Sequence, residues 1–237
     1  MTRDNVREEL THLRDEAAIL LEAYLARPLL RGVSHLVAFI AALGGVTALI
    51  VQAGAALQVA ASLVYGIGLA AMLGTSAMFH RIKWRPRAYK WVRKIDHSMI
   101  FVLIASSSTP FMLLTLDGGW RIGMLIGIWS LAITGVVLRM SIEHLPRPVM
   151  VALYIGVGWS GIAVFPALSR AAPASTVLAL IGGLLYTFGA VVYLTQRPNP
   201  LPKVFGFHEV FHAFVVAAAT CHFLAVWPIV TGSNFSA

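Results

Sequence analysis

His208 and His212 stand one helical turn apart in "FGFHEVFHAFVVAAATCHF", Phe205 to Phe223. That spacing puts both imidazoles on one face of a helix, where two neutral rings can share a metal ion. The same five residues, His208-Glu-Val-Phe-His212, also read as the H-E-x-x-H of a zinc protease. Ser76 and His80 repeat the four-residue spacing elsewhere in the chain. A third imidazole from another helix would complete a three-histidine set, which for zinc leaves a fourth position open for water, as in catalytic sites. Asp96 could hold that water, act as its base, or ligate the metal directly. Ser76 could hydrogen-bond the water, Asp96 or a substrate oxygen.

These residues need elements to position them, and composition says which kind. Of 237 residues, 58% are hydrophobic and 12% charged, with a mean hydropathy of +0.79. A soluble domain of this length cannot bury so much apolar sequence, so the reading is an all-α polytopic membrane protein. Seven runs are long enough to cross a hydrocarbon core of about 30 Å as helices. They fall near residues 32–51, 56–80, 95–116, 119–139, 148–168, 174–195 and 208–230. Sixteen of the 18 Lys and Arg residues lie in the N-terminal segment and in the second, fourth and sixth loops; only Arg121 and Arg170 lie on the other side. Basic residues near span ends stay in the cytoplasm, which predicts a cytoplasmic N-terminus and a C-terminus outside. The same rule, with interfacial aromatics, accounts for the basic loop around Trp84 and Trp91, so no nucleic-acid partner is expected.

Residues 1–31 carry six acids and no apolar core, unlike a cleavable signal peptide. Val6, Leu10, Leu13, Ala17, Leu20 and Tyr24 recur at three- and four-residue steps and suggest a short amphipathic helix on the cytoplasmic face. The domain reading is therefore residues 1–31 as a cytoplasmic or interfacial helix and 32–237 as one seven-span bundle.

On this topology His80 ends the second span, Asp96 begins the third, and His208 and His212 begin the seventh, all at the cytoplasmic level. Three helices thus bring three imidazoles, a carboxylate and a hydroxyl to one depth, where ionisable groups are costly and informative. His97 points about 100° away from Asp96, and His222 lies about 15 Å deeper than His212. His222 is read as a buried, hydrogen-bonded core histidine, and His12, His35 and His144 are given no role. "SSSTP", Ser106 to Pro110, reads as a kink device whose hydroxyls re-satisfy the turn that Pro110 breaks. The protease reading fails on geometry. Its aspartate would have to come from Leu116-Asp117-Gly118, which lies at the outer face, about 30 Å from the histidines. Glu209 is left as a solvated acid at a helix start, favoured by the macrodipole.

Three segments, "GTSAMFHR", "KIDHSMIFVLIASSSTPF" and "HEVFHAFVVAAATCHF", resemble the hemolysin III family of bacteria. That family groups with the progestin and adipoQ receptors and, more distantly, with the alkaline ceramidases. The resemblance runs from about Pro28 to the C-terminus, with Ser106–Ser108 departing from the Gly-Thr-Tyr-like residues often found before the Thr-Pro. It implies a multi-pass protein of the bacterial inner membrane with a cytoplasmic-side zinc held by His80, His208 and His212. Asp96 would hold the zinc's water, and Ser76 completes the motif. Two function classes follow. One is a zinc-dependent hydrolase of a lipid amide or ester, with Asp96 as base and Ser76 steadying the oxyanion. The alternative is a non-enzymatic receptor or a pore-forming, hemolysin-like protein in which the zinc is structural. Either way the expected partner is a membrane lipid, as substrate or ligand.

Overall fold

Apolar runs bounded by Gly, Pro and charged clusters become helices here because a backbone in hydrocarbon must satisfy its own hydrogen bonds. The computed structural model describes residues 28–142 and 145–233, together with residues 5, 7, 10, 11 and 14. The amphipathic helix expected over residues 1–31 lies almost wholly outside the described residues, as do His12 and His144.

Helix α1 spans Val33–Val51, α2 Ala56–Arg81, α3 Pro86–Thr115 and α4 Gly118–Ser141. Helix α5, Arg147–Ser160, passes through a 3₁₀ turn at Gly161–Val164 into α6, Phe165–Ala171. Helices α7, Pro173–Thr195, and α8, Phe207–Thr231, follow. Counting α5 and α6 as one interrupted span, seven stretches are long and apolar enough to cross a membrane. Among the described residues the only strand-like feature is an isolated bridge between Leu201 and Phe205.

Two elements differ from the sequence reading. Helix α3 begins at Pro86, nine residues before the expected start at 95. Proline is favoured in a first helical turn, and the basic stretch after it is helical without being apolar. Hydropathy marks the membrane crossing, not the helix. The fifth span is interrupted where Gly161 and Pro166 weaken the helical ladder, since proline supplies no backbone donor.

Consecutive spans pack as neighbours, and α8 also meets α1, α2 and α3, which closes the bundle. Helix α3 is the most buried of the seven. Small residues set how closely others approach it. A Cβ on Gly68 of α2 would collide with Ser106, and one on Gly135 of α4 would sit 2.5 Å from the Phe101 ring. The Ser106–Thr109 hydroxyls each bond back to a carbonyl three or four residues earlier, at Leu103, Ile104 or Ala105. Those bonds brace the helix above Pro110; none serves the Ser106 carbonyl whose usual donor Pro110 lacks. Outward-facing Ile126, Ile133 and Phe188 are all more than half exposed, an apolar surface suited to lipid rather than water.

Candidate metal centre

Helix α2 ends one residue past His80, where Ile82 turns extended ahead of Pro86. Ser76 and His80 therefore occupy its last turns, and both are buried. Helix α8 starts at a sharply defined point. The Gly206 amide donates to Glu209 Oε2 at 2.8 Å, and the Phe207 amide donates to Asn199 Oδ1 at 3.0 Å. These bonds satisfy two of the orphan donors of a helix start and fix His208 in the first turn, with His212 one turn further on.

The two helices bring the three imidazoles together. His80 Nε2 and His208 Nε2 lie 3.2 Å apart. Ring centroids are 4.8 Å apart for His80 and His208, 5.0 Å for His80 and His212, and 4.5 Å for His208 and His212. One nitrogen from each ring falls within 4.8 Å of the others. A tetrahedral ion with nitrogens at 2.0–2.1 Å would hold them about 3.4 Å apart, so the cluster needs only small side-chain adjustments to close on a metal. His212 is 2% exposed, with its Nδ1 unpartnered. His80 and His212 are buried and His208 is half-buried, and three neutral imidazoles, each with a ring nitrogen to offer, suit a borderline transition-metal ion.

Asp96, at the level of the His cluster, points into the same cavity as Ser76, His208 and His212. Ser76 lies within hydrogen-bonding reach of its carboxylate. The cavity has an empty volume of about 1560 Å³, its mouth included, and its walls are overwhelmingly apolar. It extends along α8 from His208 to His222, about 20 Å at 1.5 Å per residue. Two lining residues, Ile162 at the break in the fifth span and Leu180 on α7, are exposed.

The other candidates fall where their chemistry is already committed. His97 bonds through Nδ1 to the Arg93 carbonyl at 2.7 Å and through Nε2 to Tyr193 at 3.3 Å. His222 Nε2 meets the Ala179 carbonyl at 3.3 Å, as expected for a core histidine, although its Nδ1 is unpartnered. Asp117 precedes α4 just beyond the C-terminal end of α3, and its exposed carboxylate pairs with Arg121 at 2.8 Å. It cannot join the His cluster.

Two readings from sequence need correction. Glu209 is not solvated: it is 2% exposed, and its carboxylate is ion-paired with Arg31 as well as bonded to the Gly206 amide. A charge so placed needs both partners to remain buried. His35, given no role from sequence, is 2% exposed and stacks face to face on His212, with centroids 3.8 Å apart and planes within 9°. Neither residue type nor spacing signals either contact, because both join segments far apart in the chain.

Comparison with known proteins agrees with this architecture. A family model described as Haemolysin-III related matches residues 23–223. Hemolysin-3 of Bacillus cereus is 31% identical over 209 residues, covering 86% of this chain and 91% of that protein. The monocyte to macrophage differentiation factor of Homo sapiens is 26% identical over 168 residues, 69% of this chain and 68% of that protein. The adiponectin receptor protein of Drosophila melanogaster is 26% identical over 215 residues, 80% of this chain and 48% of its own length.

Proposed function

The chain belongs to the haemolysin-III-related family, and from that membership and its histidine cluster we propose a zinc-dependent membrane hydrolase of a lipid amide or ester. The observation that carries this reading is the position of the cluster. Three imidazoles, two buried and one half-buried, cluster together, and two of them, His208 and His212, line one end of a long apolar cavity that also holds Asp96 and Ser76.

His80, His208 and His212 would hold the ion. Bound zinc supplies a Lewis acid that polarises a carbonyl and acidifies water. The chain's own residues do the rest. The apolar walls hold an acyl chain and exclude bulk water from the reacting end. Ser76 donates its hydroxyl hydrogen to the substrate's carbonyl oxygen. Asp96 takes a proton from the attacking water at its carboxylate and returns it to the departing amine or alcohol. Exposed Ile162 and Leu180 in the cavity lining would suit entry of a substrate that is already dissolved in the membrane.

By sequence position, 16 of the 18 basic residues fall in the N-terminal segment and in or beside the second, fourth and sixth loops. We therefore place the cluster and the N-terminus on the cytoplasmic side of a bacterial membrane and the C-terminus outside. A non-enzymatic reading has one specific support. The three imidazoles tie α2 to α8, as a structural ion would.

The test is turnover of a panel of lipid amides and esters by purified protein, with zinc content measured in every sample. Asp96→Asn keeps shape and hydrogen bonding while losing the base, so it should retain zinc and lose 10²–10⁴-fold in rate. Zinc-loaded protein inert across the panel would favour the structural ion.

A further inference from the structure

His35 is a buried histidine to which neither the hydrolytic scheme nor the family match gives a role. Both of its ring nitrogens are buried and without hydrogen-bond partners. Burying two unpartnered polar atoms is costly, and an apolar ring of the same size would avoid that cost. No protein group is served by the two nitrogens, so the contribution open to this ring is its flat face. What the ring does touch is a neighbour in the metal cluster, since it lies flat on His212 at 3.8 Å.

His212 has a matching peculiarity. A metal-ligating histidine is usually held in orientation by a hydrogen bond to its other ring nitrogen. His212 Nδ1 is buried without a hydrogen-bond partner, and the face of its ring lies against His35. Along α8, His208 precedes it by one turn and has Glu209 as its neighbour.

The segment that carries His35 is fastened to the same place. The amides of Leu29 and Leu30 donate to the carbonyls of Lys203 and Val204 at 3.0 and 3.1 Å. Arg31 pairs with Glu209. Gly32 adopts φ +78°, and a Cβ on it would lie 2.7 Å from His80 Cβ, so only glycine allows so close an approach. Pro28–His35 thus runs across the cluster, anchored before α8, beside His80, and on His212.

We propose that this segment is a built part of the metal centre, with His35 as a positioning residue that orients His212 by ring stacking. The inference rests on the three-histidine reading. Stacking requires a flat ring and does not require ring nitrogens, which separates it from any role in hydrogen bonding or ligation.

The experiment measures zinc affinity by chelator competition and the visible absorption of the cobalt-substituted protein, in detergent, for four forms. His35→Phe should keep affinity within about threefold of the unaltered protein and keep its cobalt spectrum. His35→Ala and His35→Leu should each lose affinity 10–100-fold, the range found when ligand-orienting groups are removed, and shift the cobalt bands. The leucine variant refills the volume, so it decides the matter if the alanine variant does not fold. Leucine matching the unaltered protein, or phenylalanine failing as alanine does, would overturn the stacking role. Absence of bound metal in the unaltered protein would be a different failure, that of the three-histidine reading itself.

Discussion

Arg31 and Glu209, 178 residues apart in the chain, form an ion pair whose carboxylate sits on α8 between its two clustered histidines. Glu209 is almost fully buried, whereas Arg31 retains some exposure at 19%. Stranding one partner of a buried pair typically costs about 3–5 kcal/mol; the exposure of Arg31 places the expectation near the lower end. Glu209→Gln keeps the bond to the Gly206 amide but leaves the guanidinium without its partner. Thermal unfolding in a fixed detergent should show a clear loss for Glu209→Gln and for Arg31→Met. The double variant should recover much of it. Losses that simply add would mean that the two side chains do not depend on each other.

Helix packing gives a second, independent test. A Cβ at position 135 would press on the Phe101 ring in the core, while one at 127 on the same helix meets nothing within 4 Å. Gly135→Ala should therefore destabilise by about 1–3 kcal/mol, the usual cost of overpacking. Gly127→Ala should be neutral or slightly stabilising, because alanine is the better helix former. Equal effects at the two positions would show that α4 does not approach α3 as described.

Much of this arrangement could be read from residue order alone. Apolar length located all seven spans, because a hydrocarbon core imposes a minimum run on any helix that crosses it. The i, i+4 spacing of Ser76 with His80 and of His208 with His212 placed each pair on one helix face. Alternation of the spans then brought those faces to one level, where the three imidazoles do converge. Pairing across the bundle was another matter. His35 sits at the start of α1, where its position along the chain says nothing about which ring it will meet. Arg31 looked like one more interfacial base and Glu209 like an ordinary helix-start acid. Their burial follows from how the 28–35 segment lies across α8, a tertiary fact with no local signature. The break at Gly161–Val164 had clearer cues in Gly161 and Pro166, but neither interrupts the apolar run that hydropathy detects.

The orientation proposed from the charge distribution is open to a labelling test. In a background lacking Cys221, Arg87→Cys in the first turn of α3 should react with a membrane-impermeant thiol reagent only from the cytoplasmic side. Ser233→Cys should react only from outside. Reaction of both from one side would contradict an odd number of crossings.

The most direct test of the central claim is the metal content of purified protein, determined by elemental analysis. About one zinc per chain is expected, lost largely in His80→Ala, His208→Ala or His212→Ala and retained in His97→Ala and His222→Ala. His80 is the decisive position, since it alone brings α2 to the cluster on α8. A folded His80→Ala protein that still carries a full complement of zinc would contradict the three-histidine centre.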